Sequence, residues 1–243
     1  MAQRPVMELV STVRHDGDGG VLDDLDTVRG TTRWLQQRSG LPATATVPGD
    51  LVVDEELRQA VVDVRRAVRA LFARVVSPAP PSPADAHRLL PVEEALRLLN
   101  AAAAREPVAP QLRWPAEGPP TAGLFSAEDD PGVRLVAALA RDAVDFLSGP
   151  QREHLRACHA PRCVRYFVKS HGRQEWCKPS CGNRARVARH YERVRAATSG
   201  GGPGDSVQDH KWSASSDPAD SYSRSAAVVS APLRPSGPPS TGR

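Results

Sequence analysis

The stretch 158–186, CHAPRCVRYFVKSHGRQEWCKPSCGNRAR, holds all four cysteines of the 243-residue chain. Four residues separate Cys158 from Cys163, thirteen lie between Cys163 and Cys177, and three separate Cys177 from Cys181. Two close pairs bridged by such a loop suit one tetrahedral zinc ion, held by four thiolates at about 2.3 Å. Buried thiols with no common purpose would be scattered, not gathered within 24 residues. Four sulfurs close the coordination shell and leave no position for a reactive water, so the metal is expected to be structural. His159 and His171 lie inside the stretch and could replace a cysteine, although each better suits a solvated loop.

Disulfides are the competing use of paired cysteines. The first eight residues, MAQRPVME, lack the apolar segment of a secretory signal, and no apolar run reaches the roughly 18 residues that span a membrane. The expectation is a cytoplasmic chain with no membrane association and with reduced thiols, where metal is favoured over disulfide.

Charge is segregated along the chain. Residues 151–197 carry twelve Arg or Lys against three acidic groups, whereas residues 1–150 carry sixteen against twenty-one. The tail is balanced at four and four, so the overall charge of only +4 conceals a local +9. Zinc bound by four thiolates lowers that to about +7, still enough to attract a polyanion. Arginine supplies 29 of the 32 basic residues, but outside this segment acidic groups predominate, so arginine usage alone does not create the excess.

The remaining sequence supplies a core, its hydrophobic fraction of 40% being sufficient for one. Residues 7–13, rich in β-formers, predict a short strand, and the turn cluster from His15 to Gly20 follows. That cluster is not a calcium loop, because Thr27 stands where the twelfth-position carboxylate is needed. Asp26 or Thr27 caps a predicted helix carrying Trp34 and Leu35 and ending near Ser39-Gly40. A longer helix is predicted from about Asp50 to Arg74, since Val53, Leu57, Ala60, Val61, Val64, Val68, Leu71 and Phe72 recur at helical spacing. Ser77-Pro78 breaks it. Ser82 opens another helical segment to about Ala104, which Pro91 kinks or divides, with Val92, Ala95, Leu96 and Leu99 on its buried side. Residues 111–114 and 123–125 predict a hairpin. Asp130 and Pro131 then start a helix lined by Leu135, Val136, Leu139, Ala140, Val144 and Leu147, which Gly149-Pro150 ends.

Within the cysteine stretch, residues 164–168 and 174–176 predict two strands joined by a turn at 169–173. The helix that follows carries Cys181 in its first turn, giving a treble-clef-like order. Val187, Tyr191 and Val194 should pack on Phe167 and Trp176, leaving the arginine face free. The whole reads as an α+β fold in three parts. These are a helix-dominated domain over 1–149 with a few short strands, a zinc module over 150–197, and a disordered tail over 198–243, where Gly, Pro and Ser make 23 of 46 residues.

The pattern Trp176-Cys177, three residues, then Cys181-Gly182-Asn183-Arg184-Ala185-Arg186 resembles the CGNR zinc-finger family. Members pair this C-terminal finger with an N-terminal ABATE domain and are described as stress-induced transcription regulators. Leu9-Val10-Ser11-Thr12 and Thr31-Thr32-Arg33-Trp34-Leu35 are similar to the start of that domain, with Ser11 where the family often has Asn. The likeness spans roughly residues 7–195. It implies that Cys158, Cys163, Cys177 and Cys181 bind one structural zinc. It also implies that Arg184 and Arg186 meet nucleic acid, with Arg189 and Arg193 as backbone anchors. Asn183 would cap the helix or hold the loop. For Arg184 an alternative is a cation–π contact over Trp176.

The expected activity is therefore DNA-binding transcription regulation, with four phosphate contacts giving a salt slope of about −4. The N-terminal domain would sense a signal, through an unidentified small-molecule effector, or mediate assembly. The alternative is a zinc-stapled protein-interaction module with a small-molecule-binding N-terminal domain. RNA is the less favoured nucleic acid, because Tyr166 and Phe167 suit the core better than a stacking surface. No phosphate loop, nucleophile motif or paired-carboxylate motif argues for an enzyme. A module this small gains from a second subunit in reaching tight specific binding, which leaves room for a homodimer.

Overall fold

Pro5 at the first helical position and the spacing of Val6, Leu9 and Val10 start the chain as a helix, α1 (Pro5–Val10), with these three side chains fully buried. A computed structural model describes residues 4–18, 20–37, 51–85 and 88–199. The strand expected over 7–13 is thus corrected: only Val13–His15 (β1) is extended, paired antiparallel with β2 (Val21–Asp23). The β-propensity of Val and Thr loses to a cap supplied from far along the chain. The Asp142 carboxylate accepts the Val6 N–H at 2.7 Å and ion-pairs with Arg4 at 2.8 Å.

Thr27 caps α2 (Val28–Gln36), accepting from Gly30 N–H. Its expected end near Ser39-Gly40 lies outside the described residues, as does the tail beyond residue 199. The long helix α3 (Glu55–Val76) begins one residue after its cap, Asp54, and stops at Ser77, whose extended ψ of 141° suits the residue before a proline. Pro91 divides the next segment. A short 3₁₀ turn, Pro83–Asp85, lies before it and α4 (Val92–Ala104) after it. Leu96, expected inside, is 39% exposed. Strands β3 (Val108–Arg113) and β4 (Thr121–Ser126) form the anticipated hairpin, a ribbon exposing Leu112 and Phe125. Helix α5 (Pro131–Ser148) has Asp130 as cap, accepting from Gly132 and Val133 N–H at 2.7 and 3.1 Å, and Gly149-Pro150 follows its last turn. Its inner face is as expected except at Val144, which is 37% exposed.

The core is a helical layer in which α3 packs on α4 and α5, and α1 packs on α5. Phe72 of α3 joins it to the cysteine-rich segment: its ring lies 5.2 Å from Phe146 and 5.5 Å, edge-on, from Tyr166. Tyr166 belongs to β6 (Tyr166–Val168), which pairs antiparallel with β5 (Leu155–Ala157), and α6 (Pro179–Ser199) follows. The partner of β6 is therefore not residues 174–176, which form no strand. Leu155 and Ala157 offer alternating buried positions that seat β5 in the main core, whereas Glu175 is exposed and Trp176 packs with the cysteines. The fold is helix-dominated α+β.

Candidate metal centre

The first cysteine pair sits in the β5–β6 connection. The Cys158 N–H reaches the Arg165 carbonyl at 2.9 Å, extending the ladder, and a turn closes with Cys163 N–H on Ala160 O at 2.9 Å. Arg162 takes a left-handed φ of 62° in this turn and donates to the Gly17 carbonyl at 2.6 Å, so the loop rests on the β1–β2 hairpin. The second pair flanks the start of α6, with Cys181 in its first turn. Gly182 stands next to it for a steric reason: a Cβ there would lie 3.0 Å from Cδ1 of Trp176.

All four sulfurs lie within 4.8 Å of one another, with Cys163–Cys177 at 3.7 Å and Cys177–Cys181 at 3.5 Å. A tetrahedron with zinc–sulfur bonds of about 2.3 Å has edges of about 3.8 Å, so the set fits one zinc. Cys158, Cys163 and Cys181 are buried, walled by Ala160 and Phe167, and Cys177 is half-buried. Crowding separates the thiols electrostatically. Hydrogen bonds from Cys163 and Cys177 hold Cys158 low. Its neighbour Cys158 pushes Cys163 up, and Cys158 with Cys163 pushes Cys177 up. Four thiolates cannot share this space without a cation, and a divalent ion supplies the missing charge. His159 and His171 are exposed and stand outside the set.

Arg184 turns inward. Its guanidinium donates to Cys181 Sγ at 3.2 Å and meets His15 Nε2 at 3.1 Å, tying α6 to the β1–β2 hairpin. Asn183 accepts a hydrogen bond from Arg186. Arg186, Arg189 and Arg193 are exposed, and among the described residues the last two make long contacts, at 3.4 and 3.3 Å, to carbonyls of their own helix. The expected packing of Val187, Tyr191 and Val194 is corrected. They are 54%, 64% and 46% exposed, because Cys181 and Ala185 form the inner face of α6 and Trp176 is already seated against Gly182.

A family described as "Putative stress-induced transcription regulator" (ABATE) matches residues 3–150, or 148 of the 243 residues. The chain belongs to the ABATE family. The CGNR zinc finger matches residues 154–194, taking in all four cysteines. This finger binds one zinc ion, for which the four clustered thiols are the donors at hand. No curated protein matches the chain. No helix of the described residues is long and apolar enough to cross a membrane.

The ABATE region and the CGNR finger meet in a buried polar network that the sequence reading missed. Arg69, 4% exposed, donates from Nε to Asp85 at 2.7 Å, from Nη2 to Asp85 at 3.0 Å, and to the carbonyls of Val10 (2.7 Å) and Val164 (3.3 Å). Ser82 Oγ also donates to Val164 O, at 2.8 Å, and Tyr166 Oη donates to Asp85 at 2.8 Å. Burial, then the facing Asp85 carboxylate, push the Tyr166 phenol up, which keeps it a donor. Val164 is the residue after Cys163, so this network holds the metal loop from behind. One signal was available: Arg65 and Arg69 interrupt the α3 stripe at the same helical spacing as its apolar members, and both are buried.

Proposed function

We propose that this chain is a cytoplasmic, non-enzymatic, DNA-binding transcription regulator whose α6 meets phosphates through Arg186, Arg189 and Arg193. The observation that carries this reading is the exposure of three arginines on a helix whose first turn bears a zinc ligand. A rigid cationic helix beside an acidic domain attracts a polyanion and orients it. Arg184 is engaged by Cys181 and His15, so it acts as a positioning residue. The ABATE region would supply signal sensing.

Fluorescence anisotropy with duplex DNA over a range of salt tests this. Three phosphate contacts give a slope of log K against log salt of about −2.7. The double variant R186A/R189A reduces its magnitude by about 1.8 while zinc content stays at one per chain. Binding that ignores both salt and the variants would sink the reading.

A protein-interaction module is the second reading. It is favoured by the apolar side chains left outside: Val187, Tyr191 and Val194 on α6, with Leu112 and Phe125 on the β3–β4 ribbon. A homodimer is one form it could take, and light scattering distinguishes that from a monomer. Absence of duplex binding at physiological salt would move the assignment to this reading.

A further inference from the structure

A cavity of about 570 Å³ opens at the seam between the ABATE region and the zinc finger. Its floor is apolar: Met7 of α1 with Phe167 and Val168 of β6 line it, while Phe146 lies fully buried beneath Arg4. Its rim is cationic, with Arg165, Lys169 and Lys178 converging from the zinc-finger side and Arg4 from the other. No carboxylate among the described residues lines it. Arg4 is already paired with Asp142, and Lys169 donates to the Gly172 carbonyl at 2.7 Å. Arg165 and Lys178 have no ion-pair partner among the described residues. A concave site with an apolar floor and uncompensated positive charge on one side lacks a partner of matching shape and sign. Another cavity of similar volume, between the starts of α3 and α5, is mainly acidic, because Asp54, Glu56, Asp129 and Asp130 line it with Arg105.

We propose that the seam cavity binds a small amphipathic anion: a carboxylate, sulfonate or phosphate head on an apolar body of two or three rings. The head meets Arg165, Lys169 and Lys178, and the body covers Met7, Phe167 and Val168. Its volume lies within the range of small-molecule sites, roughly 300–1,000 Å³. DNA is a poor occupant, since a phosphate backbone brings nothing apolar to the floor. Cys177, a metal-site thiol, also lines the cavity, so an occupant touches the ABATE helices and the zinc finger together. The site thereby gives the sensing role a location. Any effect on DNA rests on the regulator reading, whereas binding itself does not.

The test uses the zinc-loaded full chain without DNA and two fluorescent probes of similar body. One is the anionic 1-anilinonaphthalene-8-sulfonate, the other the neutral N-phenyl-1-naphthylamine. The expected result is one saturable site for the sulfonate, at least about tenfold tighter than for the neutral probe, as one charge-assisted contact provides. The double variant K169Q/K178Q weakens the sulfonate by at least about tenfold and leaves the neutral probe unchanged. Equal affinity for the two probes on the parent chain overturns the proposal. So does sulfonate binding that survives the double variant, or failure to saturate below about 1 mM. Should the variant lose zinc, the comparison of probes on the parent chain decides alone. A chain that binds no DNA can still pass this test, and a chain that fails it leaves the salt titration intact.

Discussion

Replacing Asp85 by alanine removes the counter-charge of Arg69 from a site where neither side chain meets water. Their side chains are 5% and 8% exposed, and the carboxylate accepts two guanidinium bonds and one phenol bond. Arg69 keeps the Val10 and Val164 carbonyls but loses its only anion in this network. Breaking a buried pair by deleting one partner costs about 3–5 kcal/mol, mostly the penalty of the stranded charge. In a unit of this size each kcal/mol lowers the melting temperature by about 2–4 °C, so D85A should fall by about 6–20 °C. The double variant R69M/D85L removes both charges, and apolar replacement of a whole pair is often close to neutral. Two carbonyls then lose an arginine donor, although Ser82 Oγ still serves Val164. Recovery should therefore be partial, with a coupling energy of at least about 2 kcal/mol between the two sites. Thermal melts followed by circular dichroism, with a chromophoric chelator reporting zinc release, measure both. A D85A variant within about 1 kcal/mol of the parent, or purely additive effects in the double variant, would refute the reasoning.

Other outcomes follow from the same contacts. The variant C177S should lose stoichiometric zinc, measured by metal analysis, and zinc affinity should weaken as pH falls because thiols must shed protons to bind. Burial, then the nearby Arg184 and Lys178, hold His15 below its usual value despite the opposing Asp16. Its contribution to stability is therefore fully present above about pH 6.5 and lost as pH falls from there through the lower folded value, so H15Q should flatten the melting temperature below about pH 6.5. Burial alone would raise the Asp23 carboxyl, but the Arg65 bonds and charge outweigh it and the net shift is downward. Stability from this pair is then lost only as pH drops below about 4, and D23N should remove that acid-sensitive part of the melting curve. Charge at Tyr191 should be tolerated: Y191D on the exposed side of α6 should shift stability by no more than about 0.5 kcal/mol in urea unfolding.

The metal site was readable in the sequence because its donors lie close together in the chain and their chemistry leaves few alternatives. Helices α3 and α5 were readable because several turns of apolar spacing agree with Asp130 and with the prolines at their ends, although the start of α3, expected near Asp50, is set by the cap at Asp54. Where the determinant was remote, the reading failed. Six residues are too few to show a helical period in α1, and its cap, Asp142, comes from 136 positions away. The partner of β6 was misread because Gln174-Glu175-Trp176 follows it after a plausible turn, while β5 precedes the metal loop and is held by core burial. Val187, Tyr191 and Val194 have the spacing of a buried stripe, but spacing does not reveal whether a surface stands opposite. Arg69 went unread, since its partner Asp85, 16 positions on, is brought to it only by the 3₁₀ turn.

The contacts around the cysteines bear on how a signal could reach α6. Arg162 holds Gly17, Arg184 holds His15, and Arg69 with Ser82 holds Val164. Each bond joins the ABATE region to a residue within three positions of a cysteine, so coupling needs no long chain of intermediates. Elements that touch directly can bias one another if one of them has two arrangements. Zinc loss provides such a change. Without it the thiols lose their common partner, and the loop is left with its tethers at Val164 and Arg162. Hydrogen exchange then offers a discriminating measurement. If the two regions form one cooperative unit, chelating zinc should raise exchange in the buried turns of α3 around Arg69 as well as in α6. If α6 and the metal loop open alone, α3 should keep its protection, and the network would be a passive contact between independent parts.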